Sequence, residues 1–220
     1  MLFANQTLYY SEHALMFNRR GDRFIDETLG DHLSAIAAVE QPDARVLVVA
    51  DQRVRDEWML GEYVEGITPV DRFELCRRRG GRYALADSLD DFDYLPDDWG
   101  YPGEVIRAGI ERFNADALAR RTLEPGRQFD SLPLDKPPYY VVEAQAAITF
   151  TFGGILVDDQ ARALGGDGRP VPGLLAAGAD AGGLFVRAYA GGLAAAAVFG
   201  LRAAETALTA RALSLTEEKR

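Results

Sequence analysis

Apolar and polar positions alternate differently in different parts of the chain. From Asp31 to Val39 the apolar residues recur at helical spacing and predict a helix. Arg45–Ala50 (RVLVVA) is a short, nearly unbroken apolar run and predicts a buried strand. Thr7–Phe17 and Arg23–Ile25 flank Asn18-Arg19-Arg20-Gly21, predicting a hairpin in which glycine supplies positive φ. Ser88 and Asp91 stand at capping-box spacing and predict the start of a short helix. Glu104–Leu118 predicts a longer helix with Pro102 in its first turn and Val105, Ile106, Ile110 and Phe113 on one face. Further on, Tyr139–Ala144, Ile155–Val157 and Leu174–Ala177 predict strands, and Gly165–Gly168 a turn. YAGGLAAAAVFGLRAAETAL predicts a helix opened by Gly191-Gly192.

These elements fall into two textures. The chain is charged and mixed α/β as far as about Arg120, and from about Pro137 it is apolar and rich in glycine and alanine. RTLEPGRQFDSLPLDKPP lies between them and reads as a linker or long irregular connection. The expectation is an α/β protein with boundaries at 1–136 and 137–220.

The formal net charge of -10 opposes binding to phosphate backbones, so no nucleic-acid partner is expected. Arg77, Arg78, Arg79 and Arg82 read as a solvated helix end. Cys76 is the single cysteine, which excludes an intrachain disulfide and suits a reducing compartment. With only His13 and His32 beside it, no metal-ligand spacing is recognisable. Leu193–Phe199 is the longest apolar run and is too short to span a bilayer, and the N-terminus lacks signal-peptide patterning. A cytoplasmic protein without a membrane partner is the expectation.

The segment from Pro172 to Leu208 is the most informative chemically. Gly182, Gly183, Gly191 and Gly192 let backbone approach a flat ligand, because no Cβ stands in the way. The helix beginning there offers free N–H groups and a positive dipole end to negative charge. Close helix–strand packing uses glycine and alanine equally, and the residues alone leave both readings open.

PGLLAAGADAGG followed by AYAGGLAAAAVFGLRAA resembles the C-terminal flavin-binding segment of the fumarate reductase / 3-ketosteroid Δ1-dehydrogenase superfamily. Thr151-Phe152-Gly153-Gly154 resembles its T-x-G-G element, ALMFNRRGDRFIDE a cap-domain motif, and IERFNADA the helix closing the cap. The resemblance covers nearly the whole chain in the family's order and is weakest from Ala50 to Gly100. It implies the far part of a cap (substrate) domain over 1–136 and the returning segment of a Rossmann-like FAD-binding domain over 137–220. The cofactor implied is FAD, contacted by Gly153, Gly154, Gly178, Ala179, Asp180, Gly191, Gly192, Leu193 and Ala194.

Members of this family begin with a GxGxxG lobe that holds the FAD pyrophosphate, and no such pattern leading into a helix occurs before Pro137. Either a second polypeptide carries that lobe, which is the favoured expectation and makes a heteromer, or the chain is a truncated product.

The resemblance implies desaturation or reduction of a C–C bond beside a carbonyl, on a small carbonyl substrate of which steroids are one class. Tyr189 stands where ketosteroid dehydrogenases carry a carbonyl-polarising tyrosine, with the Leu193 amide as second donor. Arg187 remains within reach of a carboxylate. At the family's proton-transfer position the chain has Asp31, with His32 next, which departs from the arginine or tyrosine of relatives. Either could serve as base, and Asp31 could equally cap its helix. Thr149 and Phe150 replace the histidines that precede T-x-G-G in fumarate reductases. Arg23 and Glu27 read as a structural pair. The competing reading is a non-catalytic remnant or protein-binding module.

Overall fold

The computed structural model describes residues 8–61, 68, 70–148, 150–185 and 191–217, with side chains as far as 210. It contains two compact units, 1–147 and 148–220.

In the first unit, β1 (Leu15–Asn18), β2 (Arg45–Ala50), β3 (Tyr83–Ala86) and β4 (Tyr139–Gln145) form a sheet in the order β1-β2-β4-β3, every pair antiparallel. Successive side chains point to opposite faces, and here both faces are covered. Leu15, Phe17, Leu47, Val49 and Val141 pack on Ile106, Ile110 and Phe113 of α4 (Gly103–Leu118). Met16, Val46, Val48, Tyr140 and Val142 pack on Tyr10, on Ala38 of α1 (Asp31–Val39) and on Phe73 of α3 (Arg72–Arg78). Burial on both faces explains why β2 reads as an unbroken apolar run instead of an alternating one.

Predicted and observed elements agree over α1 and β2, and the Ser88–Asp91 capping box is formed, opening a 3-10 turn. The predicted hairpin is only partly present. Tyr9–His13 is a 3-10 turn, and Arg23 meets Phe17 in a single bridge while β1 pairs along its length with β2. Asn18 Oδ1 accepts the N–H groups of Arg20 and Asp22, which closes the turn as Gly21 takes φ +83. Val105, expected on the buried face of α4, is half exposed. Asp51 caps the short α2 (Gln52–Val54), which runs on into a π-helical turn, Arg55–Met59.

The stretch read as a linker is built into this unit. Asn114 exchanges two hydrogen bonds with Leu134, and Asp51 accepts the Lys136 N–H. Arg127 donates to the carbonyls of Ala14 and Glu12. The strand at Tyr139–Gln145, placed by sequence in the second segment, is the third strand of the first unit's sheet.

In the second unit, β5 (Ile155–Leu156) runs parallel to β8 (Ala181–Gly182), and β6 (Arg162–Leu164) forms a hairpin with β7 (Pro170–Leu175). A 3-10 turn, Gly178–Asp180, packs against α5 (Gly192–Glu217). Gly192–Ala210 has mean hydropathy 1.3 and 0% of it is buried, so by length and composition this helix is able to cross a membrane. The sequence expectation had counted only the unbroken run at Leu193–Phe199, whereas alanine and isolated polar residues extend the apolar helix well past it.

Candidate functional site

The T-x-G-G element lies against the Gly178–Gly182 segment. The Thr151 hydroxyl donates to the Ala179 carbonyl at 3.1 Å. A Cβ on Gly154 would fall 2.5 Å from the Asp180 carbonyl oxygen and 2.9 Å from the Gly182 nitrogen. Gly153, Gly154, Gly178, Ala179 and Asp180 are thereby brought together, although they come from opposite ends of this unit's first half. Phe150 and Phe152 both stand 5.7 Å from the Phe185 ring.

The glycines here divide into two kinds. Gly154, Gly182 and Gly183 are small because protein backbone or the Leu156 side chain presses on them. Gly153 and Gly178 have open space where a Cβ would be, and Gly178 has φ +68. Gly191, at φ +75, accepts the N–H groups of Ala194 and Ala195 and so starts α5. The N–H groups of the residues just inside such a start have no intrahelical acceptor. The open backbone at Gly153 and Gly178 admits a flat ligand, and the free N–H groups at the α5 start suit an anionic edge such as that of reduced flavin. Leu193 is 87% exposed. Tyr189 and Arg187 lie outside the described residues, as does Thr149.

In the first unit, Asp31 and His32 are the opening residues of α1 and are half buried. Gly30 occupies the N-cap, and no side chain caps the helix, so the capping alternative for Asp31 is not realised. Glu12 adjoins them: its Oε1 lies 3.5 Å from where a Gly30 Cβ would sit. Burial raises the Glu12 carboxyl above its ordinary value, and the Asp31 charge adds to this while His13 opposes it. Arg23 and Glu27 pair as expected, at 2.6 Å with Glu27 wholly buried, and Arg127 approaches the same carboxylate at 3.6 Å.

Sequence reading missed His13. Its Nδ1 lies 2.5 Å from Asp130 Oδ2, and its ring stacks on Trp58 at 3.7 Å with 4° between planes. Arg53 Nη2 lies 3.3 Å from Asp130 Oδ1. The partners are 117 residues apart, and Asp130 stands in the stretch read as a linker, so no local spacing signals the pair.

The chain matches the family of FAD binding domains over residues 10–194. It is 28% identical over 195 residues to the NADH:acrylate oxidoreductase of Vibrio harveyi, covering 86% of this chain and 18% of that protein. It is 46% identical over 74 residues to the 4-oxocyclohex-2-ene-1-carboxylate 5-dehydrogenase of Sinomonas cyclohexanicum, covering 32% of this chain and 12% of the relative. Among solved structures, the 3-ketosteroid Δ1-dehydrogenase of Sterolibacterium denitrificans superposes with a TM-score of 0.65 at 24% identity, over 90% of this chain and 39% of that one. The chain thus spans well under half the length of each of these proteins.

Proposed function

The chain belongs to the FAD-binding domain family, and from that premise we propose that it forms part of an FAD-dependent oxidoreductase that desaturates or reduces a C–C bond beside a carbonyl. The observation that carries this reading is the meeting of T-x-G-G with the Gly178–Asp180 turn, which packs on α5, with Gly153 and Gly178 open to an approaching ligand. Curated relatives named for acrylate and for cyclic oxo-acids point to the same bond type.

FAD, when bound, supplies the hydride acceptor or donor. The chain's own contribution begins with the first N–H groups of α5, which favour negative charge on the flavin edge. Tyr189 and the Leu193 amide polarise the substrate carbonyl, which acidifies the neighbouring C–H. Tyr189 in place of an arginine favours a ketone over a dicarboxylate. At the family's proton-transfer position the chain carries Asp31, with His32 next, and these are the residues taken to exchange the proton.

The GxGxxG lobe that completes the FAD site is a second polypeptide in this reading. Its support is the bare apolar surface of the second unit: Leu193, Val198, Leu201 and Leu208 on α5, with Leu156 and Leu174, are all exposed. Surface of this kind marks an interface. The test is co-expression with a GxGxxG lobe. A stoichiometric flavin absorbance band, bleached by a reductant and restored by an unsaturated ketone, is the expected result. Colourless protein from every such pairing would leave the non-catalytic module as the remaining reading.

A further inference from the structure

β3 stands at the end of the first unit's strand order, so one of its edges has no strand beside it. The Glu143 N–H donates to the Arg82 carbonyl, and hydrogen-bonded pairs alternate along an antiparallel ladder. Arg82, Ala84 and Ala86 therefore bond to β4, and the N–H and C=O groups of Tyr83 and Leu85 point away from it. No described residue hydrogen-bonds these four groups. The strand reads Tyr-Ala-Leu-Ala, without the charge, proline or bulge that guards an open edge. Tyr83 meets Phe73 of α3, and on that face Tyr83 is 38% and Leu85 54% exposed.

The residues on either side of β3 carry opposite charges. Arg77, Arg78 and Arg79 close α3 just before it, and Arg82 leads into it. Asp87, Asp90, Asp91 and Asp93 follow it. Arg78, Arg79, Asp87 and Asp90 are all exposed. When β3 pairs antiparallel with β3 of a second copy, the stretch before one strand runs beside the stretch after the other. Arginines then meet aspartates twice, once on each side of the two-fold axis. A parallel pairing would instead set like charges together.

We propose that this edge joins two copies of the chain, β3 to β3 and antiparallel, about a two-fold axis at Ala84, independently of the flavin reaction. That register sets Tyr83 of each copy opposite Leu85 of the other, so all four outward groups of each strand find partners. Centring on Leu85 would face Tyr83 with Asp87, whose N–H already donates to Asp91 Oδ2. Centring on Tyr83 would face Leu85 with Gly81, whose N–H already donates to the Cys76 carbonyl. In the Ala84 register the exposed Tyr83 and Leu85 side chains also cover one another as cross-strand pairs. The contact is closed, because each copy spends its one open β3 edge on the other.

Sedimentation of the full chain should show monomer passing to dimer as concentration rises, less readily as salt screens the flanking charges. Leu85→Pro removes an edge-facing N–H, spares the ladder to β4, and should abolish the dimer. Ala84→Cys tests the register without touching that ladder. Residues opposed in a non-hydrogen-bonded pair lie about 4.5 Å apart at Cα, so mild oxidation should cross-link two copies, whereas the buried Cys76 of the unmodified chain should not. A chain carrying Arg78→Glu and Arg79→Glu should not self-associate, nor should one carrying Asp87→Arg and Asp90→Arg, yet the two mixed should form a heterodimer. A chain that stays monomeric at every concentration would overturn the proposal. So would a dimer indifferent to Leu85→Pro, without the Ala84→Cys cross-link and with no preference for the mixed pair. Capture of this edge by a GxGxxG lobe in place of the second copy, lost with Leu85→Pro, would overturn it as well.

Discussion

Gly154 and Gly182 lie back to back, each occupying the space in which the other's side chain would stand. A Cβ at Gly182 would run into the Gly154 backbone, and neither segment can yield without parting β5 from β8. Gly182→Ala should therefore destabilise the chain by about 1–3 kcal/mol, read from urea unfolding of the full chain. Gly153→Ala meets open space and should leave stability within about 0.5 kcal/mol while weakening flavin binding in the assembly. Equal stability losses for the two would show that Gly153 is also a packing residue.

Glu27 is a buried carboxylate held between two guanidiniums and the Met16 N–H. Burial depresses the Arg127 guanidinium, and the Glu27 charge works against that depression. Removing Arg127 withdraws a charge from Glu27 and two hydrogen bonds from the backbone at Glu12 and Ala14. Arg127→Met should cost about 3–5 kcal/mol, measured by denaturant titration. A loss below about 1 kcal/mol would mean that Arg23 alone satisfies the carboxylate.

Burial works to raise Asp130, but the His13 hydrogen bond and the Arg53 charge outweigh it and hold the carboxyl below its ordinary 3.8. A carboxyl that is more acidic folded than unfolded contributes stability above its unfolded value. That contribution is lost as pH falls through the lower folded value. The stability advantage of the unmodified chain over Asp130→Asn should thus be full at neutral pH and shrink as pH drops below 3.8. A difference that stays constant into acid would deny the shift.

On α5, Leu201 and Leu208 are two-thirds exposed. Leu201→Glu should leave the thermal midpoint of the isolated chain unchanged, yet abolish co-purification with the GxGxxG lobe. Intact assembly would place the interface elsewhere. Flotation of the unmodified chain with lipid vesicles, abolished by the same substitution, would assign this apolar helix to a membrane.

The sequence marked much of this fold because local rules and tertiary structure agree in it. Asp31–Val39 and Arg45–Ala50 appear where periodicity put them, and Ser88 with Asp91 forms its capping box. Disagreement came where distant groups settle a local choice. β1 pairs with β2 and not with the residues just beyond its turn. The proline-bearing stretch before β4 is fastened by Asn114 and Asp51, whose hydrogen bonds no spacing rule reveals.

The candidate site divides in the same way. By itself the sequence determined the family and the class of cofactor, through the resemblance carried by PGLLAAGADAGG and AYAGGLAAAAVFGLRAA, because such motifs are contiguous signals. Only the tertiary structure decided which glycines serve packing, since that depends on what stands where each Cβ would be. It also decided that His13 has a carboxylate at its back. A histidine–carboxylate pair joined across 117 residues exists only once the chain has brought its members within hydrogen-bonding distance, and nothing in the order of residues records that distance.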